Sequence, residues 1–156
     1  MVLSGGAAVS IYTLNKYVSR DIDLVNVYAV ERKKIRAAMH EIGFQERNRY
    51  FIHPESNHIV EFPPGPLAVD SQSVTRISKV KYSTGTLRVI SPTDCVKDRL
   101  AAYYFWNDGQ SLSQAVLVAR NRRVNMGELR RWSRASDMMD KHAIFLHKLH
   151  PISRKR

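Results

Sequence analysis

Ser4-Gly5-Gly6-Ala7-Ala8 and Ser19-Arg20-Asp21-Ile22-Asp23-Leu24-Val25 decide how this chain folds. Apolar residues from Val2 lead into the glycine pair, and an Ala-rich segment follows it. That order reads as the end of a strand, a tight glycine turn and the start of a helix. Two glycines leave backbone N–H groups open beside a helix N-terminus, an arrangement that cradles phosphate. Residues 21–28, Asp-Ile-Asp-Leu-Val-Asn-Val-Tyr, are rich in β-branched side chains and read as the next strand. On a strand, residues i and i+2 face the same way. Asp21 and Asp23 therefore share one face, and Ile22 and Leu24 the other. Two carboxylates side by side repel unless a cation lies between them. A hard divalent ion takes such oxygen ligands and leaves room for phosphates. Taken alone, an Asp-x-Asp strand fits a solvent-facing edge as well as a metal platform, and a glycine pair fits a plain turn. Ser19 can reach a phosphate or serve as a simple hydroxyl at the strand start.

Outward from this stretch, strand and helix signals alternate. Val30, Ile35, Ala38, Met39 and Ile42 fall at helical spacing over 30–42, and Gly43 stands where a helix C-cap glycine belongs. Residues 49–53 and 58–62 read as two strands joined by the turn formers Pro54-Glu55-Ser56-Asn57. Pro63, Pro64 and Pro66 end the second, because proline cannot continue a ladder. Residues 74–81 and 86–90 flank Ser83-Thr84-Gly85 as another hairpin. The character changes at Ser91-Pro92-Thr93-Asp94, a helix N-terminus with Ser91 as N-cap, Pro92 at the first helical position and Asp94 three on from the cap. That helix should run to Trp106 and break at Asn107-Asp108-Gly109. A second helix is expected from Ser111 to Arg122. Asn125 with Glu128 then opens shorter helices over 126–133 and 136–149. The expected class is α/β (α+β): a core over 1–90 with a small mixed sheet flanked by helices, and a helical extension over 91–156 packed on it as one domain.

Length and charge bound what such a chain can do. One domain is expected from 156 residues, enough to bury a core without disulfide staples. Cys95 is the single cysteine, which fits a reducing compartment and leaves no cysteine-based zinc site. No apolar run approaches the ~18 residues of a membrane span, and no basic-then-apolar segment opens the chain. A cytoplasmic location is therefore expected, and membrane insertion is not. The net charge of +11 is the unusual feature. Residues 120–156 hold 11 of the 25 basic side chains against 3 of the 14 acidic ones. They include Arg120, Arg122, Arg123, Arg130, Arg131 and Arg134, and the tail residues Arg154, Lys155 and Arg156. A surface of that kind attracts polyanions such as nucleic acid, or is simply a solvated helical face.

The order apolar strand, Gly5-Gly6, spacer, Asp21-Ile22-Asp23 resembles the signature of the nucleotidyltransferase superfamily that includes DNA polymerase beta. The later run Ser91-Pro92-Thr93-Asp94-Cys95-Val96-Lys97-Asp98-Arg99-Leu100-Ala101-Ala102, with Trp106-Asn107-Asp108-Gly109-Gln110-Ser111-Leu112, is similar to a small prokaryotic branch of it, near the abortive-infection nucleotidyltransferase toxins. The resemblance covers nearly the whole chain. It implies a nucleotidyltransferase fold and transfer of a nucleoside monophosphate from a nucleoside triphosphate to a hydroxyl acceptor. An RNA 3′ end, a protein hydroxyl and a small molecule are all open as acceptor; the basic 120–156 region favours RNA, the resemblance points to tRNA, and an antitoxin or other partner protein is implied alongside. Asp21 and Asp23 would bind Mg²⁺, as two ions, with Mn²⁺ as the alternative. Gly5, Gly6 and Ser19 would hold the triphosphate, and Lys97 would contact a phosphate.

The resemblance also implies a third catalytic carboxylate on a neighbouring strand. Glu61, flanked by Val60 and Phe62 near the end of an apolar strand, is the better match, since an acid there is costly unless paired or metal-bound. Asp70, in the turn-rich stretch after the prolines, is the rival. Arg120, Arg122, Arg123, Arg130, Arg131 and Arg134 are the expected nucleic-acid contacts. Two departures stand out. Relatives carry a leading helix before the glycine pair, and here the glycines follow almost at once; the spacer of 14 residues from Gly6 to Asp21 is also slightly long. Relatives often have an apolar residue where Gly109 follows Asn107-Asp108. A reading of a different class is a non-catalytic nucleotide- or RNA-binding module of the same fold. His142, His147 and His150 lack metal-ligand spacing and read as surface or core histidines.

Overall fold

In the computed structural model, which describes residues 1–150, strand β1 (Val2–Ser4) runs straight into helix α1 (Gly5–Tyr12). The glycine pair is thus the first turn of the helix and not a separate loop. Strand β2 (Asp21–Val25) is shorter than the expected 21–28. Asn26 ends it. Its side-chain amide donates to the Val30 carbonyl at 2.8 Å and accepts from the Val30 N–H at 3.0 Å, which turns the chain back. Helix α2 (Arg32–Glu41) closes as expected. Gly43, at φ 87°, lets its own N–H and that of Phe44 return to the carbonyls of His40 and Met39, a Schellman arrangement.

Strands β3 (Gln45–Arg47), β4 (Tyr50–Ile52) and β5 (Ile59–Glu61) form an antiparallel meander. The last two are the expected pair. The first is polar throughout, so no hydrophobic alternation marks it. Strands β6 (Ala68–Val69) and β7 (Gln72–Ser73) make a separate two-stranded sheet, too short to leave a pattern. Strands β8 (Ile77–Tyr82) and β9 (Gly85–Ile90) are the expected second hairpin.

Ser91 caps helix α3 (Pro92–Trp106), accepting from the Asp94 N–H at 3.1 Å. Asn107 closes it in the left-handed region, and Asp108 caps helix α4 (Gly109–Asn121) by accepting from the N–H groups of Gln110 and Ser111. That cap is why α4 starts at Gly109 and not at Ser111. Asn125 caps helix α5 (Met126–Ala135). Helix α6 (Met139–Leu149) begins later than residue 136, because Asp137 takes a left-handed φ of 56°. Arg154, Lys155 and Arg156 lie outside the described residues. Among the described residues, no helix is long and apolar enough to cross a membrane.

The seven main strands hydrogen-bond in the order β3-β4-β5-β2-β1-β9-β8, with β1–β9 and β2–β5 parallel and the other pairs antiparallel. Period-two alternation then sorts the side chains. Leu3, Ile22, Leu24, Phe51 and Val60 share one face; Ser4, Asp21, Asp23 and Glu61 share the other. Helix α2 covers part of the first face, with Ile35 and Met39 packed on Phe51 and Val60. A larger apolar cluster runs from Val2 and Leu3 through Ala8 and Val9 to Leu100, Leu129 and Phe145, and joins the helices of the C-terminal part to the sheet. Full burial of side chains such as Phe51, Leu100 and Phe145 contributes about 1.5–3 kcal/mol each.

His142 sits in the helical part of this core, 2% exposed, with Nδ1 3.2 Å from the Ser133 hydroxyl and 3.4 Å from the Tyr104 hydroxyl. Burial, reinforced by Arg130, holds its imidazole below the ordinary histidine range. The folded state keeps it neutral, while the unfolded chain titrates at about pH 6.5. The stability this site contributes is full above that pH and is lost as pH falls below it. The thermal unfolding midpoint should drop between about pH 7.5 and 5.5 and drop less in His142→Gln. Equal drops in the two proteins would contradict this assignment.

Candidate functional site

Strand β2 lies between β1 and β5, and register builds the site. Ser4 stands opposite Asp23 across β1–β2, and Asp23 stands opposite Glu61 across β2–β5. Asp21 pairs with Ile59, and Tyr50 of β4 stands opposite Glu61. Asp21, Asp23, Tyr50, Ile59 and Glu61 line one cavity of about 400 Å³. Asp23 is half-buried, and its carboxyl is pushed above the ordinary range, first by burial and then by the charges of Glu61, Asp21 and Asp98. Arg99 acts in the opposite direction. Like charges gathered around a partly buried carboxylate form a setting that a cation relieves.

The glycine pair is positioned by the same register. A Cβ on Gly5 would meet Asp23 Oδ2 at 2.7 Å, and Gly5 has φ 63°, which an L side chain rarely adopts. A Cβ on Gly6 would meet Ser19 Oγ at 2.8 Å. A carboxylate and a hydroxyl thus come against the first turn of α1, whose N-cap residue Ser4 makes no side-chain cap bond. Ser19 ties α1 to the start of β2: its N–H donates to Ser10 Oγ at 3.0 Å and its hydroxyl donates to the Asp21 carbonyl at 2.9 Å.

Of the two rivals for third acid, Glu61 faces the cavity. Asp70 is exposed in the turn between β6 and β7 and does not line it. Glu61 already has a partner, since Arg49 Nε lies 3.0 Å from its Oε1 and the guanidinium covers the Tyr50 ring at 5.0 Å. Among the described residues, no three His, Cys, Asp or Glu side chains converge as a metal cluster. The donors are nevertheless all carboxylate oxygens, which suit a hard cation such as Mg²⁺.

Lys97 is not brought to this cavity. It is 6% exposed, and its Nζ donates to Glu128 Oε1 at 2.6 Å, an oxygen that Arg76 also holds at 2.5 Å. The cation that reaches Asp23 electrostatically is Arg99, anchored by Nε and Nη2 bonds to Asp98 Oδ2. Arg49, Tyr50 and Arg99 are the residues that sequence reasoning passed over as site members. The register across β4–β5 that points Tyr50 at Glu61 has no local signal.

The basic residues divide. Arg120 donates to the Lys148 carbonyl at 2.7 Å, and Arg122 donates to the Tyr12 carbonyl at 2.9 Å, so both tie elements together. Arg123, Arg130, Arg131 and Arg134 are exposed, the last three on α5. Comparison with family models, with curated proteins and with solved structures returns no match for this chain.

Replacing Gly5 with Ala should cost on the order of 1–3 kcal/mol, through backbone strain and the clash with Asp23. A Cβ on Gly109 meets nothing within 4 Å, so Gly109→Ala should stay within about 0.5 kcal/mol of the parent. Denaturant unfolding of both variants measures this, and equal small effects would remove the close approach of Gly5 and Asp23 from the account.

Proposed function

We propose that the chain is a divalent-metal-dependent nucleotidyltransferase of the polymerase-beta fold, moving a nucleoside monophosphate from a nucleoside triphosphate to a hydroxyl acceptor. The observation that carries this reading is the pairing of Asp23 with Glu61 across β2–β5, with Asp21 on the same face, directly against the glycine-only start of α1. Asp21, Asp23 and Glu61 would hold Mg²⁺ or Mn²⁺ through their carboxylates. The metal would act as a Lewis acid on the transferred phosphate and lower the pKa of the attacking hydroxyl.

The remaining roles belong to groups of the chain itself. The N–H groups in the first turn of α1 face the phosphates, and glycine at 5 and 6 lets the phosphates come close. Ser19 Oγ lies against Gly6 and lines the same approach. Lys97 is bound to Glu128, and Arg99, whose charge acts against the rise of the Asp23 carboxyl, would balance phosphate charge in its stead. Glu61, now paired with Arg49, would have to release that partner to hold a cation. Arg123, Arg130, Arg131 and Arg134 give an exposed cationic surface that suits a nucleic-acid backbone, and RNA is the acceptor class it favours.

The Arg49–Glu61 pair favours one rival reading, a module that binds nucleotide without turnover. The test is incubation of the chain with labelled nucleoside triphosphates, Mg²⁺ and total RNA. The wild type should transfer label and release pyrophosphate, and Asp23→Ala should transfer at least about a hundredfold less. Glu61→Ala should fail in the same way, whereas Asp70→Ala should retain activity. A wild type that labels nothing beyond Asp23→Ala defeats the transferase reading, and Mg²⁺-dependent nucleotide binding without pyrophosphate release establishes the rival.

A further inference from the structure

Val2 shares its sheet face with Ser4 and the carboxylates, and beside it a second cavity opens. Its volume is about 560 Å³, within the range of small-molecule pockets. Val2, Val27, Leu67, Val74 and Ile77 give it apolar walls. Two cations complete the lining, Lys79 and Arg88. They stand directly opposite each other in the β8–β9 register, where like charges destabilise a sheet. Among the described residues neither has an ion-pair partner, and the cavity lining contains no acid. Arg88 also lies over the Tyr28 ring at 5.5 Å, so aromatic and cationic surfaces meet at this wall. A nucleic-acid backbone would use the cations but not the apolar walls. A neutral apolar molecule would use the walls and leave the two cations repelling each other.

We propose that this cavity binds a small organic anion with a flat apolar body and a carboxylate or phosphate head. The head bridges Lys79 and Arg88, and the body packs on Val2, Leu67 and Val74. An anion between the two side chains converts their repulsion into a pair of charge-assisted hydrogen bonds. No residue of the Asp21, Asp23 and Glu61 site takes part, so the assignment is independent of the transfer reaction.

The experiment is calorimetric titration of the full chain, without nucleotide or divalent metal, using 2-naphthoate, 2-naphthyl phosphate and the neutral 2-naphthalenemethanol. At least one anion should bind at a single site, at least about tenfold more tightly than the neutral alcohol. The stronger of the two anions identifies the head group. The double variant Lys79→Ala/Arg88→Ala, changed only at exposed positions, should lose the preference for anions. Val74→Trp, which fills the cavity, should abolish binding of all three probes. Failure of both anions to bind overturns the proposal. So does equal affinity for the alcohol, or unchanged anion binding in the double variant.

Discussion

Strand β2 carries Asp21 and Asp23 on one face and Ile22 and Leu24 on the other, and alternation at period two obliges the sheet to satisfy both at once. The apolar face continues through Leu3, Val60 and Phe51, and α2 packs on part of it. The polar face gathers Ser4 and Glu61 on either side of Asp23. Slipping β1 or β5 by one residue would turn Ser4 or Glu61 toward the hydrophobic core and bring Leu3 or Val60 to the cavity. The register that buries Phe51 and Val60 is therefore the same register that assembles the acids. Gly5 belongs to this constraint, because α1 starts level with Asp23 and no larger residue fits between them.

Much of this was legible in the sequence because it is local. The shared face of Asp21 and Asp23 follows from strand geometry, and the helix starts at Ser91 and Asn125 follow from cap chemistry. Gly43 and the turn at 83–85 were likewise readable from residue type and spacing. What escaped depends on packing. β3 is held by its pairing with β4 and not by any apolar pattern of its own. Lys97 sits at the helix start where a cation is expected, yet α3 turns it toward Glu128. Arg99, two residues on and about 200° round the helix, is bound to Asp98, and its charge acts on the Asp23 carboxyl from there. Helix rotation about its axis is set by Leu100, Val96 and Cys95 in the core, which no motif records.

The charge of +11 also reads differently once placed. Part of it is structural, since Arg120 and Arg122 are engaged with backbone carbonyls. Three exposed arginines, Arg130, Arg131 and Arg134, lie on α5 and do not line the acidic cavity. A single sheet face thus carries two cavities of opposite character, one walled by three carboxylates and one by two cations, Lys79 and Arg88, over apolar side chains.

The claim on which the rest turns is that Asp21, Asp23 and Glu61 act together as a divalent-cation site. Titration of Mn²⁺ into the chain, with the free ion counted by electron paramagnetic resonance in the presence of a nucleoside triphosphate, tests it most directly. The wild type should hold Mn²⁺ that Asp21→Asn/Asp23→Asn does not, with both proteins equally folded. Equal Mn²⁺ uptake by the two would contradict the account.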